Sequence, residues 1–501
     1  MLSAKWGLQG GCYGLAVALL VLTAVPALAF NPNLPYDPTT PPYNSSVGYA
    51  ADDSPPPTIP IAMNPTITIQ TTPLDPNDRY LDNQLFGNIF GSDGKAYFGS
   101  STHSDLSTGA MFFDYDPNTG KINTLSSGMT AIGGEPPPPA IPQGKLHCLP
   151  YEYNGWIYFT CHLAVYSTTG YNNYPGSHIY AYKMGSAEAN APVWKDFGVM
   201  RTDYTSYAAL SIDPVHNYVY SSVTNWWTAG ANIGYLYRYN LDGTGKTQVA
   251  SNIGTDFFQY VDGRGDMWFA DDHNPGTLHK ISGATGVMTD YPNALPTPRN
   301  LTSNTVNTTD NAGRYFASGW KVDGNTCMFS MGWDGAMWEF NSAKFEAGDP
   351  NAFTMAKWIG AHGGGMTLAN NTVYYAQSAD PNWTNGAKAY DLHLKSFSLT
   401  NTAAAVTDWG RIVDQSGRTP YRIEGMSADA NGHVYMSGDW RIIDTPTPDP
   451  VNYRSLRRQF DYYGNWLDLY RGQMFGTVTV PEPTCLALLL AGVAFLRRRR
   501  A

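Results

Sequence analysis

Lys145–Tyr182 reads KLHCLPYEYNGWIYFTCHLAVYSTTGYNNYPGSHIYAY, and its centre decides the fold. Asn154-Gly155 lies between two apolar, aromatic runs, the strongest short-range signal for a hairpin closed by a two-residue type I′ turn. In that register opposed residues have numbers summing to 309, beginning with Tyr153 facing Trp156. Cys148 then faces Cys161 and His147 faces His162. Pro150 falls where the ladder needs no N–H from it. Side chains alternate across a strand, so the imidazoles share one face and the sulfurs the other. The plainer alternative is two partly exposed histidines on a sheet rim.

Working outward, the hairpin belongs to a repeat of strand, Gly turn, aromatic strand, loop and a third Tyr- or Phe-rich strand. The copies begin at Gln84 with AYFGS and MFFDYDPNTGKI, followed by the hairpin itself. AALSIDPVHNYVYSSVT with GYLYRYNLDGTGK comes third, FFQYVDGRGDMWFADD fourth and NTCMFSMGWDGAMWEF fifth. The sixth is MTLANNTVYYAQS with LHLKSFSLT, and the seventh EGMSADANGHVYMSGDW with RRQFDYYGNW. Seven four-stranded units close a ring without a free edge, which predicts an all-β, seven-bladed β-propeller over 75–471. Rings of six or eight blades are the alternatives, because the fifth copy is blurred. No sustained helical period appears outside the termini. With 14% charged residues, 14% aromatics, 50 Gly and 34 Tyr, the composition is that of a turn-rich β protein.

The ends read as targeting segments. Lys5, the apolar Leu15–Val25 and Ala27-Leu28-Ala29 predict a signal peptide over 1–29. Residues 30–74 are Pro- and Thr-rich and predict a surface leader, with one strand at Thr66–Gln70. In 472–501, Pro481-Glu482-Pro483 precedes the apolar Cys485–Leu496 and then Arg497–Arg500. That order resembles the PEP-CTERM sorting signal of Gram-negative bacteria. The resemblance implies export, transient membrane insertion of the tail, processing by an exosortase, and a cell-surface, envelope or extracellular-matrix location near exopolysaccharide. An oxidising compartment permits a Cys148–Cys161 disulfide and leaves Cys327 over, expected buried. Setting aside Lys5 and Arg497–Arg500 among 31 basic residues, and Glu482 among 41 acidic ones, leaves 26 and 40, a body charge of about −14. Nucleic acid is a poor partner for such a surface.

In a blade, the start of the inner strand and the end of the second lie on one face. His147 and His162 therefore meet there, beside the long connections 127–144 and 163–177. Three segments around them carry a resemblance: Gln143-Gly144-Lys145-Leu146-His147, Ile157-Tyr158-Phe159 running into His162, and Tyr174-Pro175-Gly176-Ser177-His178. Over roughly 143–240 they are similar to secreted bacterial seven-bladed propellers that include ulvan-lyase-type polysaccharide lyases. The resemblance implies a Tyr that acts as base and acid, with His and Arg around the uronate. The histidines fall on His147 and His162, the tyrosine (from VYSSVT) on Tyr220, and the arginine (from YRYNL) on Arg238. Chemically, β-elimination needs the C5 proton removed while the carboxylate charge is offset, and a cation beside a phenol lowers its pKa. Among 34 tyrosines, packing is the commoner role for Tyr220, and a surface ion pair suits Arg238 equally well. His178 and His103 are the further substrate-binding candidates. His362 reads as a tight turn, and Asp271-Asp272-His273 as a loop. No spacing suggests three or four convergent metal ligands, and no serine-hydrolase, zinc-protease or nucleotide fingerprint stands in a supporting context, so no metal or cofactor is expected. Two functions compete: a uronate-directed lyase, and a non-catalytic propeller that binds surface glycan or protein.

Overall fold

Inner strands in this chain end in turns that the sequence builds in two ways. Asn154 and Gly155 both have positive φ, 50° and 75°, the backbone a type I′ turn requires. Elsewhere an aspartate closes the inner strand and one carboxylate oxygen accepts two backbone N–H groups of the turn. Asp213 caps Val215 and His216, Asp262 caps Arg264 and Asp266, Asp323 caps Asn325 and Thr326, and Asp429 caps Asn431 and His433.

The computed structural model describes residues 66–71, 84–101, 109–441 apart from internal segments, 459–460, 466–467 and 471–480. They form seven four-stranded antiparallel blades, each running from an inner to an outer strand. Blade 1 comprises Gln84–Phe90, Ala96–Ser101, Phe112–Asp116 and Lys121–Thr124. Blade 2 comprises Tyr151–Tyr153, Trp156–Thr160, His178–Lys183 and Trp194–Val199. Blade 3 comprises Leu210–Asp213, Tyr218–Val223, Gly234–Asn240 and Thr247–Ile253. Blade 4 occupies 256–291, blade 5 occupies 316–358 with all four strands present, and blade 6 occupies 366–414. Blade 7 takes Pro420–Ala428, His433–Arg441 and Arg471–Thr479, and its outer strand is Thr66–Thr71 from the far end of the chain. The same short strand runs parallel to the outer strand of blade 6, with Thr66 opposite Arg411.

Two boundaries differ from expectation. Thr66–Thr71 belongs to the ring and not to a leader, because a ring needs a strand from one end of the chain to complete its last sheet. The third strand of blade 7 is Arg471–Thr479, not RRQFDYYGNW. Gln459–Phe460 and Trp466–Leu467 pair only with each other, so the body runs to Val480. The signal peptide, the rest of the leader, Pro481, Glu482, Pro483 and the tail beyond them lie outside the described residues. Among the described residues no helix is long and apolar enough to cross a membrane.

Aromatic ring contacts, stacked or edge-on, join neighbouring blades. Phe112 meets Phe159 at 4.5 Å between blades 1 and 2, and Trp268 meets Phe340 at 5.4 Å between blades 4 and 5. Phe98 meets Phe475 at 4.4 Å where blade 1 closes on blade 7. Polar groups tie the same seam, since Ser427 donates to Asn88 Oδ1 at 2.6 Å and Asn88 donates to the Tyr435 carbonyl. A central cavity of about 380 Å³ is lined by all seven inner strands, with Glu152 and Lys321 as its charged side chains.

The hairpin register holds for Tyr153–Trp156, Glu152–Ile157 and Tyr151–Tyr158, then ends. Upstream of Pro150 the chain swings to blade 1, where Lys145 pairs with Ser101. Lys145 now faces His162 and Gln143 faces Leu163. The slip corrects the disulfide expectation. Cys148 Sγ lies beside Thr160, accepting its N–H at 3.1 Å, so Cys148 and Cys161 are buried thiols not bridged to one another. Burial pushes the Cys148 thiol up to about 11. Cys327 is buried, as expected.

Phe475→Ala should test closure directly. Losing a buried ring from the blade 1–blade 7 seam is expected to cost about 3–5 kcal/mol in urea unfolding. A loss under about 1 kcal/mol would mean that the seam tolerates the cavity.

Candidate functional site

His147 lies just before the inner strand of blade 2, and His162 just past the end of its second strand, so both reach the same face. Their rings stack, with centroids 5.1 Å apart and planes 18° from parallel. The neighbour relation expected from sequence is therefore present, although the register that brings it about is not the uniform one. Tyr207 arrives from the next blade, at the matching position ahead of its inner strand. Its ring stands edge-on to both imidazoles, 5.2 Å from each. Phe257 meets Tyr207 edge-on at 5.1 Å, and Tyr315 stacks on Phe257 at 5.2 Å. His147, Tyr207, Phe257 and Tyr315 are all half-buried, so a partly open aromatic arc crosses from blade 2 to blade 5.

A buried polar web fixes this corner. Leu163 N–H and Ser177 Oγ both reach Thr205 Oγ1, and Ser206 Oγ donates to Thr160 Oγ1. Gln143 binds the Gly176 carbonyl and accepts from Tyr174, whose hydroxyl also meets Ser177. These links clamp the residues on either side of His162 to the segment carrying Tyr207. Satisfied buried polar networks of this kind rigidify a site.

His162 is fully buried. Burial, with the charge of buried Lys145 adding to it, holds its pKa well below the ordinary value, and the Leu163 carbonyl opposes the shift only in part. The ring is therefore neutral at neutral pH. Its Nδ1 lies 2.8 Å from the Leu163 carbonyl, which only accepts, so Nδ1 carries the proton and Nε2 is the basic nitrogen. The corner thus combines a neutral base, a second, more open imidazole and a phenol in contact with both.

Tyr220 and Arg238 are not part of it. They face each other across adjacent strands of blade 3, and Tyr220 is fully buried in the core between blades 3 and 4 with Val261 and Phe269. The Arg238 guanidinium lies 4.2 Å over the Tyr218 ring and bonds the Gly283 carbonyl, in a turn on the opposite face. Burial pushes the Tyr220 phenol up to about 12, with Asp213's charge in the same direction, and Arg238 offsets only part of this. The two residues are packing partners, and the expectation that they share a site with the histidines is corrected. His178 stacks on Tyr180 at 5.4 Å and bonds Asp196 at 2.7 Å, on the outer half of blade 2. His103 and His362 lie outside the described residues. Asp271-Asp272-His273 is a turn: Asp271 caps the N–H groups of His273 and Asn274 and meets buried His279 at 3.0 Å. Among the described residues no group of three or more His, Cys, Asp or Glu side chains is placed to hold a metal ion.

Sequence reasoning passed over Tyr207, Lys145, Phe257 and Tyr315. Aligning the blades on their turns would have exposed Tyr207, which lies ahead of its inner strand as His147 does; Tyr315 immediately precedes its strand and Phe257 lies within one, so both stand near the same end. Lys145 carried no such signal.

No family model matches the chain, and no curated protein matches it. Among solved structures it is similar to an oligogalacturonate lyase in complex with manganese, at 9% identity and TM-score 0.45, over 83% of this chain and 97% of that one. It is also similar to the oligogalacturonate lyase of Vibrio parahaemolyticus, at 9% identity and TM-score 0.42, over 83% and 98%. A putative 6-phosphogluconolactonase from Bacteroides uniformis aligns at 11% identity and TM-score 0.38, over 66% and 85%. At such identities no chemistry transfers from these proteins.

The depressed pKa of His162 makes a stability prediction. Below the ordinary histidine value of about 6.5, the unfolded chain binds a proton there that the folded chain refuses, so stability falls as pH drops. His162→Gln should flatten that acid limb. Urea midpoints at pH 7 and pH 5 should therefore differ less in the variant than in the wild type. Equal differences would show that His162 is not held neutral.

Proposed function

We propose that this is an exported, surface-sorted β-propeller that cleaves uronate-containing glycans by β-elimination on the face bearing His147, His162 and Tyr207. The observation that carries the reading is the half-buried Tyr207 phenol in contact with two stacked imidazoles, of which His162 is neutral. In this reading Tyr207 enters as the phenolate, its hydroxyl proton released to solvent, and His162 stays neutral beside it because burial and Lys145 penalise its imidazolium. The phenolate then takes the C5 proton of the uronate, the C4–O bond breaks as the C4–C5 double bond forms, and the phenol returns the proton to the departing oxygen. His147, the more open imidazole, faces the carboxylate, and Lys145 supplies positive charge behind it. Local charge of that sign is needed because the body, at about −14, repels polyanions at long range. No resident metal or cofactor is required by this scheme. Export through the signal peptide and exosortase processing at Pro481-Glu482-Pro483 would deliver the ring to polysaccharide at the cell surface.

The second reading, a non-catalytic glycan-binding propeller, draws on Phe257 and Tyr315, which extend the aromatic surface beyond any proton-transfer group.

Incubation with a panel of uronate polysaccharides should yield an unsaturated product absorbing in the ultraviolet. Tyr207→Phe and His147→Ala are each expected to reduce that rate by about 10²–10⁴. Tyr220→Phe should leave rate and stability nearly unchanged, because the substitution keeps the buried ring, which lies away from the histidines, and among the described residues the hydroxyl makes no well-formed hydrogen bond. A wild-type protein inert on the whole panel, yet still binding glycan, would favour the second reading.

A further inference from the structure

The connection between blades 2 and 3 crosses the same face as the histidine pair. It leaves the outer strand of blade 2 after Val199 and enters the inner strand of blade 3 at Leu210, so residues 201–207 run from rim to axis. Tyr207 stands at the axis end and Arg201 at the rim end. Six residue steps span at most about 20 Å, so the two positions are within reach of one short oligosaccharide.

Arg201 sits in an unusual setting. Its guanidinium carbon lies 3.9 Å from the centroid of Tyr235 and 4.7 Å from that of Tyr204, and Nη1 donates to the Tyr237 hydroxyl at 3.5 Å. Tyr204 and Tyr235 stand edge-to-face at 5.4 Å. On the other side of this cluster Lys246 extends over the Tyr237 ring at 5.1 Å and donates to the Val199 carbonyl at 3.0 Å. Among the described residues neither cation has a carboxylate partner. Asp203, the nearest acid in sequence, makes no ion pair with either, and its own carboxyl is shifted upward by burial alone. Two positive groups close enough to feel one another, unneutralised in a protein with net charge −10, leave a local field that an anion would relieve. The planar guanidinium, partly exposed and held by phenol rings and the Tyr237 hydroxyl with no carboxylate among the described residues, suits two-point binding of a carboxylate or sulfate. The half-buried rings of Tyr204 and Tyr235 suit the apolar face of a sugar.

We propose that Arg201, Lys246, Tyr204 and Tyr235 form a binding subsite for an anionic sugar unit of the glycan whose chain passes the histidine pair. The subsite rests on the proposed function for its ligand class but not on cleavage. It holds the polymer at the rim while the reacting unit lies against Tyr207.

The test uses the full-length protein and four variants: Arg201→Gln, Arg201→Lys, Lys246→Gln and Tyr207→Phe. Binding to polygalacturonate and alginate, with neutral dextran as the uncharged control, is titrated at low and high salt. Arg201→Gln should weaken binding to the anionic polymers about tenfold, leave dextran unaffected and reduce the salt dependence. Lys246→Gln should do the same to a smaller extent, and Arg201→Lys should recover only part of the loss because an ammonium cannot make the planar two-point contact. Where cleavage occurs, Arg201→Gln should raise KM on polymer with kcat unchanged, and leave the shortest cleaved oligosaccharide unaffected. An unchanged melting temperature separates loss of binding from loss of folding. Cleavage by the wild type with no effect of Arg201→Gln on polymer binding or KM overturns the subsite and leaves the lyase reading intact. Arg201-dependent binding of anionic polymer without cleavage supports the subsite and removes the lyase. Equal weakening towards dextran, or a wild type that binds neither anionic polymer, overturns the proposal.

Discussion

Everything in this structure depends on closing the ring with a strand from the other end of the chain. Thr66–Thr71 completes blade 7 by pairing with Arg471–Thr479, and also lies against the outer strand of blade 6. Such pairing builds blade 7 from segments far apart in the chain and joins it to blade 6, which closes the ring. The adjoining seam is finished by ring stacking, Phe98 on Phe475 and Phe90 on Tyr435, and by the buried Ser427–Asn88 hydrogen bond. With closure in place, each inner strand starts on one face at a fixed distance from the axis. That common start is what gathers His147, Tyr207, Phe257 and Tyr315 from four different blades.

The candidate site itself arises from a defect in regular pairing. The hairpin of blade 2 ends at Tyr151–Tyr158, and the chain upstream of Pro150 is claimed by blade 1 through the Lys145–Ser101 pair. A straight hairpin would have continued the ladder and set sulfur against sulfur. The slip instead buries Lys145 opposite His162 and leaves His147 half-open above it. Burying an ammonium beside an imidazole penalises the imidazolium, so the same displacement that shapes the site also sets its protonation. The hydroxyl web of Thr160, Ser177, Thr205 and Ser206 then links blade 2 to the segment carrying Tyr207, and the phenol is positioned by groups outside its own blade.

Local chemistry was legible in the sequence wherever neighbours in space are neighbours along the chain. The Asn154-Gly155 turn, the alternation of the strands and the repeating blades follow from backbone conformation and period-two patterning, which act over a few residues; the expected meeting of His147 with His162 is present, but through a slipped register that local patterning does not contain. Tertiary structure alone decided the rest. Which phenol joins the histidines depends on how blade 3 is placed beside blade 2. Tyr220, three residues into a second strand, faces a core, whereas Tyr207, ahead of an inner strand, faces the pair. The pairing of Cys148 with the Thr160 backbone, the burial of Lys145 and the recruitment of Thr66–Thr71 into blade 7 were equally out of reach. Each results from competition between distant segments for the same hydrogen bonds and the same buried volume, and only the closed ring determines which segment wins.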